Sequence, residues 1–280
     1  MLYALKDVAV FFNAEPEGLH ALEAAAKLAG KHQALLIGIC VLAADRRRTH
    51  DAYARGSALK DVIEQRKNAS MASVLQAGKA LQQVAQRHDL DVEFRVIPYT
   101  ESHQDLSMHS LHSDLLVVHK QLPDGLLAWS AEAALKRTGV PLLLVPQDWR
   151  HNTIGRHILL GWNGSREARR AIADAMPLLV SADQVDLLIV DPEQTAQLTS
   201  EEPGMEMAAY LARRGVKVEL IRVLSEGRSI AETILNQASQ SAADLVVIGA
   251  YGRSRLSETL FGGVTRRLID GIKQPLFMSH

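Results

Sequence analysis

Short apolar runs alternate along this chain with longer stretches in which apolar positions recur every three or four residues. Residues 8–12, 34–42, 92–99, 115–119 and 142–145 read as strands. Residues 17–31 show helical spacing between the first two, with Leu19, Leu22, Ala26 and Ala29 on one face. Further helical stretches are expected at 58–88, 104–112 and 128–138. The same order then restarts. Strands are expected at 158–162, 185–190, 216–223, 245–250 and 276–278, and helices at 166–179, 205–214, 230–239 and 259–272, with Gly215 a helix stop.

Three local matches mark the second series as a copy of the first. Ser113-Asp-Leu-Leu-Val-Val118 parallels Ala243-Asp-Leu-Val-Val-Ile248. Thr138-Gly-Val-Pro-Leu-Leu143 parallels Gly271-Ile-Lys-Gln-Pro-Leu276 around its proline. Asp7-Val-Ala-Val-Phe-Phe-Asn13 parallels His157-Ile-Leu-Leu-Gly-Trp-Asn163, each strand ending at Asn. A repeat this long indicates a duplicated domain rather than a solenoid unit. Continuous apolar strands between helices call for a parallel sheet covered on both faces. The fold class is therefore α/β, with two doubly wound domains expected at 1–148 and 155–280 and a polar linker between them; one large sheet is the alternative.

Composition narrows the function classes. Net charge is −1 at pH 7, so no general attraction to nucleic acid or an anionic membrane is expected. No apolar run is long enough to span a bilayer, and the first residues lack the layout of a secretory signal. Cys40 is the single cysteine, lies in an apolar run, and is expected to be buried packing. These features point to a cytoplasmic location.

The densest candidate chemistry lies near the carboxyl terminus. Asp244-Leu-Val-Val-Ile-Gly-Ala-Tyr-Gly252 runs from a buried-type strand into a glycine turn, and Gly262-Gly-Val-Thr265 opens a helix. Gly249, Gly252, Gly262, Gly263 and Val264 offer backbone N–H groups, Thr265 a hydroxyl, and Arg253 a positive charge, all suited to an anion at a helix N-terminus. The plainer reading of the glycines is a tight turn with close helix packing. In an open parallel sheet, ligands bind beyond the carboxyl ends of strands. Gly161-Trp162-Asn163-Gly164-Ser165 and Val190 are expected at that edge. There Asn163 would bond a ribose hydroxyl or a base edge, Val190 would pack on the ring, and Ser165 would cap the next helix.

The spacing Gly249-x-x-Gly252-x9-Gly262 resembles the nucleotide-binding signature of the universal stress protein family. Gly161-Trp-Asn-Gly-Ser165 is similar to that family's opening strand and turn, and Asp244-Leu-Val-Val-Ile-Gly249 to its fourth strand. The resemblance covers the whole chain as two tandem domains. It implies five parallel strands per domain in the order 3-2-1-4-5. It also implies binding of ATP or a related adenine nucleotide, with or without Mg, a role in stress sensing or signalling, and pairing through the last strand, between chains or between the two halves. Two departures stand out. Asn163 replaces the family's usual Asp, and Gly263 stands where a Ser or Thr is usual, a loss of one phosphate bond worth about ten-fold in affinity. In the first half, Val118-His-Lys-Gln-Leu122 lacks both glycines, so nucleotide binding in the same mode is expected only in the second.

Other constellations are weaker. His103, His109, His112 and His119 could supply metal ligands but lack a fixed third position; Arg46-Arg-Arg48 reads as a solvated loop. Neither a nucleophile–base pair nor a Gly-x-Ser-x-Gly elbow is present, so no catalytic residue is expected. Two rivals to nucleotide sensing remain open: an interaction module for protein or a small hydrophobic ligand, and a slow ATPase.

Overall fold

The computed structural model describes residues 3–41, 57–97, 108–120, 131–149, 153–194, 202, 204–251 and 263–280. The strands are β1 (Asp7–Phe11), β2 (Leu35–Val41), β3 (Val92–Ile97), β4 (Leu115–His119), β5 (Leu142–Val145), β6 (His157–Gly161), β7 (Gln184–Val190), β8 (Val218–Val223), β9 (Leu245–Gly249) and β10 (Leu276–Ser279). The helices are α1 (Pro16–His32), α2 (Ser57–His88), α3 (Ala131–Thr138), α4 (Arg166–Asp174), α5 (Met176–Ser181), α6 (Met205–Ala212), α7 (Ile230–Gln240) and α8 (Gly263–Gly271).

The strands lie in the order β3-β2-β1-β4-β5-β10-β9-β6-β7-β8. Each half has the 3-2-1-4-5 order that the resemblance implies, and every pair within a half is parallel. The halves meet through their last strands: β5 and β10 pair antiparallel, with Phe277 opposite Leu143. The two architectures left open by the sequence therefore coexist, since two five-stranded units share one ten-stranded sheet.

Alternating strand residues feed two apolar cores. Val8, Val10, Ile158 and Leu160 point to the face covered by α1, α2, α4, α5 and α6. Ala9, Phe11, Leu159 and Val246 point to the face covered by α3, α7 and α8. Burial on both faces explains why these strands read as continuous apolar runs. Cys40 is buried in the first core, where desolvation pushes its thiol up to about 11.

The expected helix at 166–179 breaks at Ala175 into α4 and α5. Pro177 causes the break: it has no N–H for the Ala173 carbonyl, and its ring clashes with the preceding turn. α6 ends at Ala212 with Arg213 as its cap, two residues short of the expected end, and Gly215 lies in the turn that follows, at φ +82. The expected helix at 104–112, the amino ends of those expected at 128–138 and 259–272, and the Arg46-Arg-Arg48 run fall wholly or partly outside the described residues.

Two carboxylates mark the duplication in three dimensions. Asp244 Oδ1 accepts from the N–H groups of Gly155, Arg156 and His157, each at 3.0 Å, just before β6. Asp114 Oδ2 accepts from Lys6 N–H at 2.6 Å and Asp7 N–H at 3.1 Å, just before β1. Each aspartate thus anchors the first strand of its half to the fourth, and its own N–H donates to the first residue of that strand.

Candidate functional site

In the second half, β6 lies beside β9, with Leu160 opposite Val247. The helix following β6 covers one face and the helix following β9 the other. Adjacent crossovers diverge here, and the carboxyl ends of such a strand pair are where open parallel sheets bind ligands. The described site residues gather along this edge.

The turn after β6 is built by its own side chains. Asn163 is exposed, and its Oδ1 accepts from Ser165 N–H at 3.1 Å. Gly164 then takes φ +74, a left-handed conformation that favours glycine. Ser165 caps α4, its Oγ accepting from Ala168 N–H at 3.1 Å, as the sequence indicates. The first half repeats the turn, with Asn13 Oδ1 accepting from Glu15 N–H. Trp162 continues the strand pairing through its N–H to Leu188 and packs partly buried against the first core. Gly161 could carry a Cβ at ordinary contact distance from Ile248.

Gly249 has a packing reason. A Cβ there would stand 2.3 Å from Ala168 N and 2.3 Å from the Glu167 carbonyl carbon. The start of α4 thus rests on the end of β9, and only glycine admits it. Its backbone is not left-handed; the positive φ falls two residues later, on Tyr251 at +57. Close helix packing therefore accounts for Gly249 by itself. Gly249→Ala should cost about 2 kcal/mol, because the clash is with backbone rather than a flexible side chain. Thermal unfolding of the variant checks this, and an unchanged Tm would contradict it.

Tyr251 N–H donates to Thr265 Oγ1 at 3.2 Å. This bond ties the residue leaving β9 to the first turn of α8. Thr265 is buried, and its hydroxyl retains its own proton to donate. Gly263 and Val264 are exposed at the start of α8, and among the described residues no heavy atom lies within 4 Å of a Cβ built on Gly263. Val190, at the end of β7, is partly buried against the second core. The next residue, Asp191, takes φ +47, and its Oδ1 accepts from Ser225 N–H. Gly252, Arg253 and Gly262 lie outside the described residues.

The first half braces this region. Lys120 Nζ donates to the Asp270 carbonyl at 2.6 Å, which places a cation at the carboxyl end of α8. Lys136 Nζ stands 5.7 Å from the centre of the Tyr251 ring. Neither contact was legible in the sequence, because both depend on the β5–β10 junction. At the corresponding edge of the first half, buried His119 occupies the position equivalent to Gly249. Among the described residues, no group of three or more His, Cys, Asp or Glu side chains is placed to hold a metal. No described helix is long and apolar enough to cross a membrane.

None of the curated proteins matches this chain. The whole chain is similar in fold to a universal stress protein from Archaeoglobus fulgidus DSM 4304. The TM-score is 0.68 at 13% identity, over 98% of this chain and 97% of that one. A functionally unknown protein from Pseudomonas aeruginosa PAO1 is similar over 99% of this chain and 92% of that one, with a TM-score of 0.58 and 18% identity. At these identities the likeness is one of fold. Residues 155–280 match the model of the universal stress protein family. The second half, residues 155–280, thus matches the universal stress protein family, and the chain as a whole, two units of one fold in tandem, shares its fold with a universal stress protein.

Proposed function

We propose that the chain is a stress-response regulator composed of two domains, 1–148 and 155–280, and that the second binds ATP or a related adenine nucleotide. The observation that carries this reading is the exposed start of α8 at the carboxyl ends of β6 and β9. A Cβ built on Gly263 there meets no heavy atom of the described residues within 4 Å. A phosphate fits such a position because the first N–H groups of a helix have no partner within the helix. Gly263 and Val264 N–H, with Gly252, Arg253 and Gly262 from the adjoining segment, would hold the phosphates. Trp162, Asn163 and Val190 would hold the nucleoside. Gly161, Ser165, Gly249 and Thr265 shape this edge through the packing and hydrogen bonds described above. Binding would stabilise the conformations it prefers and so shift association with a partner.

Calorimetric titration with ATP tests this reading. The intact protein should give a saturable signal at micromolar nucleotide. Gly263→Asp should fold normally, because its side chain meets no described residue, yet weaken binding at least about ten-fold by placing a carboxylate where phosphate would sit. No saturable signal at millimolar ATP, AMP or a cyclic nucleotide would favour the interaction-module reading instead. Phosphate release measured on the same sample decides whether hydrolysis accompanies binding.

A further inference from the structure

The ten-stranded sheet ends on β3 and β8, and β5 and β10 are both interior. β3 is the edge with an exposed apolar face. Val92, Phe94 and Val96 are 38%, 37% and 40% exposed, unusual for a strand whose neighbour β2 is buried. The surface continues onto α2. Gly78 lets that helix approach the Phe94 ring, since a Cβ would stand 3.2 Å from it, and one and two turns back along the same stripe lie exposed Leu75 and Met71.

The order of residues along β3 is self-complementary. Leu36 N–H donates to the Asp91 carbonyl, so in the parallel ladder Asp91, Glu93, Arg95 and Ile97 turn their backbone groups toward β2. Val92, Phe94 and Val96 therefore present theirs outward. Antiparallel pairing of two copies about a two-fold axis at Phe94 sets Phe94 opposite Phe94 and Val92 opposite Val96, with every outward group bonded. On the other face it sets Glu93 opposite Arg95, twice. Within one chain Arg95 Nε already meets Glu93 Oε1 at 2.8 Å, so each carboxylate would gain a second guanidinium. The opposite edge has no such register. Pairing β8 with itself about Leu220 sets Val218 opposite Arg222 and Glu219 opposite Ile221.

We infer that β3 is a homodimer interface, in which two chains join edge to edge about Phe94 and extend the sheet across both copies, with Met71 and Leu75 flanking the seam. This contact is independent of the nucleotide site, which is assigned to the second half.

Sedimentation equilibrium on the full chain tests it. Reversible dimers are expected in the micromolar range. E93R and R95E should each weaken dimerisation by about ten-fold or more, because each places like charges together twice. The double variant E93R/R95E restores opposite charges and should recover most of the affinity. E93R leaves Arg95 and its bond to the His109 carbonyl in place, so it carries the test if R95E fails to fold. The inference is overturned by a monomer at all concentrations up to about 0.5 mM. It is equally overturned by a dimer indifferent to E93R, or by a double variant no tighter than the single ones.

Discussion

Replacing Asp244 by alanine should remove about 4 kcal/mol of stability. Its buried carboxylate accepts from three consecutive backbone N–H groups, those of Gly155, Arg156 and His157, where the chain enters β6. Bonds to an ionised acceptor are stronger than neutral ones, and the Gly155 N–H is buried, so its loss leaves a donor without water. Asp114 does the same for β1 but holds only two N–H groups and is exposed. Asp114→Ala should therefore cost about half as much. Urea unfolding of both variants measures the difference. An Asp244→Ala midpoint equal to that of Asp114→Ala would contradict this account of how the first strand of each half is anchored.

The second large effect is a loss of stability in acid that originates at His32. This residue ends α1, is buried, and has both ring nitrogens without a hydrogen-bond partner among the described residues. Burial, helped by the neighbouring Lys31 ammonium, depresses its pKa from 6.5 to about 4. The folded protein therefore keeps His32 neutral, while the unfolded chain takes up a proton below pH 6.5. Stability attributable to this group is complete above pH 6.5, falls as pH drops, and levels off below about 4. The integrated loss is roughly 3 kcal/mol. Chemical unfolding between these pH values should show it, and His32→Leu should flatten this part of the profile. An unchanged slope in that variant would assign the acid sensitivity elsewhere. Lys31 itself is held below the usual ammonium range by desolvation, against the opposing pull of Asp244 and Asp183.

Much of this architecture was legible in the residues because it rests on local chemistry. The paired Asn13 and Asn163 turns and the Ser165 cap encode structure within a few residues of themselves, whereas the repeated Asp-Leu segments show the duplication but not the distant N–H groups their aspartates hold. The buried strands announce themselves by continuous apolar character. What escaped reading depends on approach between distant segments. Gly249 reads as part of a phosphate loop or of close helix packing, and what the sequence does not name is the segment that packs on it, the start of α4. Tyr251 takes a left-handed backbone that tyrosine does not advertise, and the Thr265 hydroxyl bonds its N–H. The Lys120 and Lys136 contacts exist only because β5 meets β10. The break at Ala175 was readable from Pro177 but overridden by apolar spacing on both sides of it.

Amide resonances of the isotopically labelled protein, followed as ATP is added, test the nucleotide reading most directly. Gly263, Val264, Trp162 and Asn163 should shift together and saturate at one equivalent, while Asn13 and His119 of the first half stay in place. Shifts centred on the corresponding edge of the first half, or none at any of these amides, would contradict it.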